Sequence, residues 1–137
     1  MAGIRCLPYR TGVALHTGLG AHVDLTVTEA DTALSFRSGD VPVLATPRLV
    51  ALCEEATFRA LDGHLPEGTT SVAKRVQFDH LVPVGIGGEV TAEATLDRIE
   101  GRRFTFTVSV TDGSGLVGAG KVSRVTVDRS TFLTHAR

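Results

Sequence analysis

The stretch TPRLVALCEEATFRAL, residues 46–61, carries its apolar side chains at helical and not at strand spacing. At about 100° per residue, Leu49, Cys53, Ala56, Thr57 and Ala60 share one face, with Val50 and Leu61 on one shoulder and Leu52 on the other. Arg48, Glu55 and Arg59 take the opposite face, where Glu55 and Arg59 stand four residues apart and can pair. Thr46-Pro47 reads as the start, because a Thr hydroxyl can accept from the free amides of a first turn and Pro is pre-organised for the first helical position. Asp62-Gly63 ends the pattern. No other segment has a comparable period, so one helix is expected.

Outward from this helix the period shortens to two. Val23, Leu25 and Val27 alternate with polar neighbours over 21–28, which predicts a strand with one buried face. Residues 29–43 read as a loop, with Ser38, Gly39, Asp40 and Pro42 as breakers. After the helix come four strand-like runs, at about 70–80, 88–99, 103–111 and 116–128. Val90, Ala92, Ala94 and Leu96 form one inward set, and Phe104, Phe106, Val108 and Val110 another. Glu100-Gly101 and Asp112-Gly113-Ser114-Gly115 supply the turns that join them as hairpins. The first 19 residues have no clear period and read as an arm with at most one short strand, around Arg10 to His16. The order of strand, helix and antiparallel meander predicts an α+β class, with one helix on a single sheet and one domain over 1–137.

The balance of 14 Lys and Arg against 15 Asp and Glu, scattered along 137 residues, gives no electrostatic footprint for nucleic acid. No apolar run approaches the length of a membrane span, and no secretory signal is visible at the amino terminus. Two cysteines, Cys6 and Cys53, make no disulfide framework and have no metal spacing, which fits a reducing cytosol. His16, His22, His64 and His135 show no ligand spacing either, so no metal site is expected. Gly85-Ile86-Gly87-Gly88 precedes a strand instead of opening a helix, which removes the context of a phosphate loop. Cys53, in the middle of the apolar face, reads as a small core residue and not a nucleophile.

Three positions remain that could carry chemistry. Glu54 projects about 80° around the helix from Thr46, between the apolar face and Phe58, so its carboxylate stands at the hydrophobic boundary. It is either a flanking surface acid or a poised one. His80 ends a strand in which Val72, Val76 and Phe78 read as inward, with Lys74 breaking the pattern; by parity His80 also faces inward, as a hydrogen-bonded core histidine or a working one. Thr46 is a capping residue or something more.

At these three residues the chain resembles the fluoroacetyl-CoA thioesterase family. The run from Thr46 to Leu61, then His80-Leu-Val-Pro, Glu100-Gly-Arg-Arg-Phe and Gly118-Ala-Gly, carries the resemblance over about residues 40–128. The intervals of eight from Thr46 to Glu54 and of twenty-six from Glu54 to His80 equal those of the family's catalytic Thr, Glu and His. The resemblance implies a hot-dog fold, with an antiparallel sheet wrapped around one central helix, pairing into a homodimer with active sites at the interface. It implies hydrolysis of a short acyl-CoA or related pantetheine thioester, with coenzyme A part of the substrate and no separate cofactor. Glu54 would be nucleophile or general base, His80 would assist proton transfer, and Thr46 would be nucleophile or hydrogen-bonding partner. Arg124 falls where the family has an active-site Arg.

The departures are local. Arg37 and Asp40 stand where the founding enzyme has lid phenylalanines, with Phe36 nearby but out of register, so the resemblance does not extend to selectivity for a fluorinated acyl group. Ala73 stands where a Gly is common near the thioester oxygen, and Val122 where a His is common near Arg124. Phe36, Ala73 and Arg124 are therefore the expected substrate-side residues beside catalytic Thr46, Glu54 and His80. Two other readings remain: a hot-dog module that binds acyl-CoA without turnover, and a dehydratase, for which no His and Asp motif is visible.

Overall fold

In a computed structural model that describes residues 15–137, helix α2 (Thr46–Leu61) packs against a five-stranded antiparallel sheet. The strands are β1 (Gly20–Thr26), β2 (Thr69–His80), β3 (Glu89–Glu100), β4 (Arg103–Asp112) and β5 (Gly115–Asp128), in the spatial order β1-β3-β4-β5-β2. The helix touches all five strands, and β1 and β3 most extensively, so the sheet curls around it. This is the hot-dog arrangement the resemblance implies. Leu49, Leu52, Cys53, Ala56 and Ala60 of α2 are buried against a sheet face whose β3 residues are Val90, Ala92, Ala94 and Leu96. Alanines on both surfaces let helix and sheet approach closely. Among the described residues no helix is long and apolar enough to cross a membrane.

The turns follow from their residues. Gly101, at φ 62°, occupies the two-residue β3–β4 hairpin, a conformation that favours glycine. The Asp112 carboxylate accepts from the Ser114 and Gly115 amides, at 2.8 and 3.0 Å, and shapes the β4–β5 turn.

The structure corrects the sequence reading in several places. The segment read as a loop holds a 3₁₀ turn (Glu29–Asp31) and a short helix α1 (Ala33–Phe36), and a further helix α3 (Arg129–Thr134) follows β5. All three are too short for a helical period to register. Of the strand expected around Arg10 to His16, residues 10–14 lie outside the described residues, and Leu15 and His16 belong to no strand. The meander covers only β3, β4 and β5; β2 pairs with β5 on the far side.

Val72 does not share a face with Val76. A register shift falls between Ala73 and Arg75, so Lys74 is an extra residue and parity reverses there. Ala73 lies opposite buried Arg124, and Val76 opposite buried Val122, so the inward set is Ser71 and Ala73 before the bulge, then Val76, Phe78 and His80 after it. The residue that spoils the alternation is the bulge itself.

Candidate active site

The start of α2 differs from the expected cap. Ala45 occupies the N-cap position with no side-chain bond, and Thr46 and Pro47 are the first two helical residues. The Thr46 hydroxyl therefore does not serve an amide of its own helix. It lies 2.8 Å from Nδ1 of His80, at the end of β2. The other ring nitrogen, Nε2, lies 3.0 Å from the main-chain carbonyl oxygen of Val82.

Both partners are held by their surroundings. His80 pairs with Gly118 across β2 and β5, and a Cβ at Gly118 would stand 2.6 Å from Cζ of Phe78 and 2.9 Å from the Asp79 carbonyl oxygen. Glycine there makes room for the Phe78 ring beside His80. Ahead of Thr46, the Ala45 amide donates to the Asp31 carbonyl at 2.9 Å, and Arg48 Nε donates to the Asp31 carboxylate at 2.8 Å. Burial pushes the Asp31 carboxyl up, but bonds from Thr28 and Arg48 outweigh this and hold it below its usual value.

Thr46 and His80 line an open cleft of about 490 Å³, whose other walls include Val41, Leu44, Leu81 and Val82. Val41, Leu81 and Val82 are exposed there, an apolar rim around a hydroxyl and an imidazole. A neutral imidazole that donates through one nitrogen and accepts through the other can take a proton from a hydroxyl beside it.

Glu54, Arg124, Ala73 and Phe36 do not line this cleft. Glu54 is half-buried, at the boundary the helical projection gave it, and among the described residues no side-chain hydrogen bond engages its carboxylate. Arg124 is buried and clamps helix to sheet: Nε donates to Ser71 Oγ at 2.8 Å and Nη2 to the Ser71 carbonyl at 2.9 Å, while Nη1 reaches Thr57 Oγ1 at 3.2 Å and the Glu54 carbonyl at 3.4 Å. Its guanidinium stands 5.6 Å from the Phe58 ring centre. Burial pushes the Arg124 pKa down, and the negative charge of Glu54 acts against that. Among the described residues no carboxylate lies within ion-pair distance of it. Ala73 sits opposite Arg124 in the sheet, and exposed Phe36 ends α1, one turn beyond Ala33 of the cleft lining.

The sequence reading missed Ser71 and Thr57 as partners of Arg124, and Val82 as a partner of His80. Thr57 carried a usable signal: a hydroxyl on the buried face of a helix needs a partner. Its own bond to the Glu54 carbonyl, at 2.7 Å, leaves an acceptor that Arg124 fills.

Residues 27–130 match the family described as fluoroacetyl-CoA-specific thioesterase. The chain belongs to this family. It is 33% identical, over 95 residues, to the fluoroacetyl-CoA thioesterase of Streptantibioticus cattleyicolor, an alignment covering 69% of this chain and 68% of that protein. A solved fluoroacetyl-CoA thioesterase superposes with a TM-score of 0.83 at 27% identity, over 88% of this chain and 93% of that one. A thioesterase superfamily member from Thermus thermophilus superposes with a TM-score of 0.81 at 26% identity, over 87% of this chain and 88% of its own. Within this member of the fluoroacetyl-CoA thioesterase family, one chain brings Thr46 and His80 together and keeps Glu54 apart from them, about 12 Å along the helix from Thr46.

Proposed function

We propose that this thioesterase hydrolyses a short acyl-CoA, or a related pantetheine thioester, to free acid and thiol at a site built on Thr46, His80 and Glu54. The observation that carries the site is the 2.8 Å contact between Thr46 Oγ1 and His80 Nδ1 in the lining of an open cleft. His80 takes the hydroxyl proton as the Thr46 oxygen attacks the thioester carbonyl carbon. The C–S bond breaks, and the leaving thiolate takes the proton back from His80. Water then attacks the acyl group on Thr46 and gives up a proton to a base; the C–O bond to Thr46 breaks, and the departing Thr46 oxygen takes a proton back, which restores the hydroxyl and the free base.

Glu54 is the base for that second step in this reading. Its separation from Thr46 along one helix supports a role across an interface, where a two-fold axis sets the middle of one copy's helix beside the start of the other's. The unpaired edges of β1 and β2, and the exposed apolar rim of the cleft, support the same homodimer. Arg124 serves the substrate side by holding the Glu54 main chain and placing positive charge near it, with Ala73 opposite and Phe36 at the cleft margin. Coenzyme A is part of the substrate, and the reaction calls for no separate cofactor. The free thiol of Cys53, buried in the core, supports a reducing cytosolic setting.

The test is thiol release from a panel of acyl-CoAs. Acetyl-CoA and other short acyl-CoAs are expected to be hydrolysed without marked preference for the fluorinated one, because Arg37 and Asp40 are polar and α1 leaves Phe36 exposed. Strong discrimination for fluoroacetyl-CoA over acetyl-CoA overturns that expectation. Binding of acyl-CoA with no thiol release overturns hydrolysis and leaves a binding module. Mixing Glu54→Gln with His80→Gln protein should restore part of the activity if the two residues meet across the interface, and none if they act within one chain.

A further inference from the structure

We propose that the main-chain carbonyl of Val82 decides which nitrogen of His80 carries the proton, making Val82-Pro83 a positioning element of the thioesterase site. The inference rests on the reading of His80 as the base. A carbonyl oxygen can only accept, so the 3.0 Å contact with Nε2 requires a proton on Nε2. A neutral imidazole then keeps its lone pair on Nδ1, 2.8 Å from the Thr46 hydroxyl. Thr46 by itself would not make this choice, because a hydroxyl can donate to a bare nitrogen or accept from a protonated one. Only with the proton on Nε2 is the nitrogen facing Thr46 a base.

The carbonyl can impose this because it cannot swing away. On one side, the amides of Leu81 and Val82 both donate to the Val117 carbonyl, at 2.8 and 3.3 Å. On the other, the Val84 carbonyl accepts from the Leu44 amide at 2.7 Å, and Val43 bridges Gly85. Between these anchors Pro83 fixes its own φ and restricts Val82 to extended backbone. Leu44 lies two residues before Thr46, so one main-chain bond registers the segment leading into α2 against the loop that orients the imidazole. Val82 is 43% exposed, which leaves the placement to the main chain.

The experiment reads the ring directly. Protein labelled with ¹⁵N-histidine is examined by long-range proton–nitrogen NMR at alkaline pH, with His80 assigned by its loss in His80→Gln. The expected pattern is a bare Nδ1 and a protonated Nε2, unchanged in Thr46→Val, because the carbonyl and not the hydroxyl sets it. Pro83→Gly should mix the two tautomers and lower kcat about tenfold or more with KM within a few fold, since a base in the wrong tautomer is lost to the reaction. If that variant fails to fold, Pro83→Ala is read in the same way. A proton on Nδ1 in the parent protein overturns the proposal, as does a tautomer switch in Thr46→Val. So does a Pro83 variant with parental tautomer and kcat. A His80→Gln protein with full activity overturns instead the role of His80, and the ring signals tell that failure from the others.

Discussion

Helix α2 is tied to strand β2 twice, and the two ties differ in kind. At the helix start, Thr46 meets His80 through one bond beside an open cleft; three turns on, Thr57 and the Glu54 carbonyl meet Arg124, which reaches Ser71. The first tie joins two groups that can exchange a proton and stand where a substrate can reach. The second uses a permanently charged group, buried, with four of its five donors engaged by neutral acceptors. The first tie can move a proton between its own groups, whereas the second has its donors satisfied and holds the frame. Glu54 belongs to the second tie by its carbonyl, while its carboxylate is free of it.

That contrast is open to breaking. Glu54→Gln and His80→Ala should each lower kcat by about 10²-fold or more, the scale for losing an acid or base, while the thermal midpoint hardly moves. Steady-state hydrolysis of acetyl-CoA measures this, and combined losses should be less than additive. Full activity in Glu54→Gln would remove the carboxylate from the mechanism.

Arg124→Met should show the reverse order of effects. It leaves the Ser71 carbonyl, the Ser71 and Thr57 hydroxyls and the Glu54 carbonyl short of a donor, and should cost roughly 2–3 kcal/mol in denaturant unfolding. If stability is untouched and only KM rises, Arg124 is a substrate contact and not a clamp.

Asp31→Asn tests what braces the open end. Because the folded pKa lies below the unfolded value, the Asp31 contribution is present above about pH 4, the ordinary carboxylate value, and is lost as pH falls through the folded pKa. The stability gap between parent and variant should therefore be largest near neutrality and close in acid. A gap that widens in acid would reverse the sign.

The closed part of the helix should also be silent to reagents. Burial, with the charge of Glu54 adding to it, pushes the Cys53 thiol up to about 12. In a Cys6→Ser background, alkylation near neutral pH should wait for unfolding; prompt labelling of folded protein would show that the core opens there. The smallest effect is expected at Glu55, whose carboxylate meets Arg59 at 2.6 Å on the solvated face. Glu55→Gln should leave kcat within a few fold and cost only about 0.2–0.5 kcal/mol.

Local pattern was enough for much of this protein. The span of α2, its buried and solvated faces, the Glu55–Arg59 pair and the β3–β4–β5 hairpins follow from period and turn chemistry, which act over a few neighbouring residues. The intervals among Thr46, Glu54 and His80, with the motifs around them, carry the family resemblance in the sequence itself. Tertiary structure decided what those residues touch. Thr46 had a local partner available in its own helix and instead lies against His80, 34 positions away, because the β2 edge runs back along α2. Lys74 looked like noise in an alternation, but the pairing of β2 with β5 makes it a bulge, which turns Ser71 and Ala73 toward Arg124. Arg124 finds Ser71 53 positions away and Thr57 67 away. Such bonds depend on sheet order and backbone direction, which are set by how the whole chain buries its apolar faces and not by any segment alone.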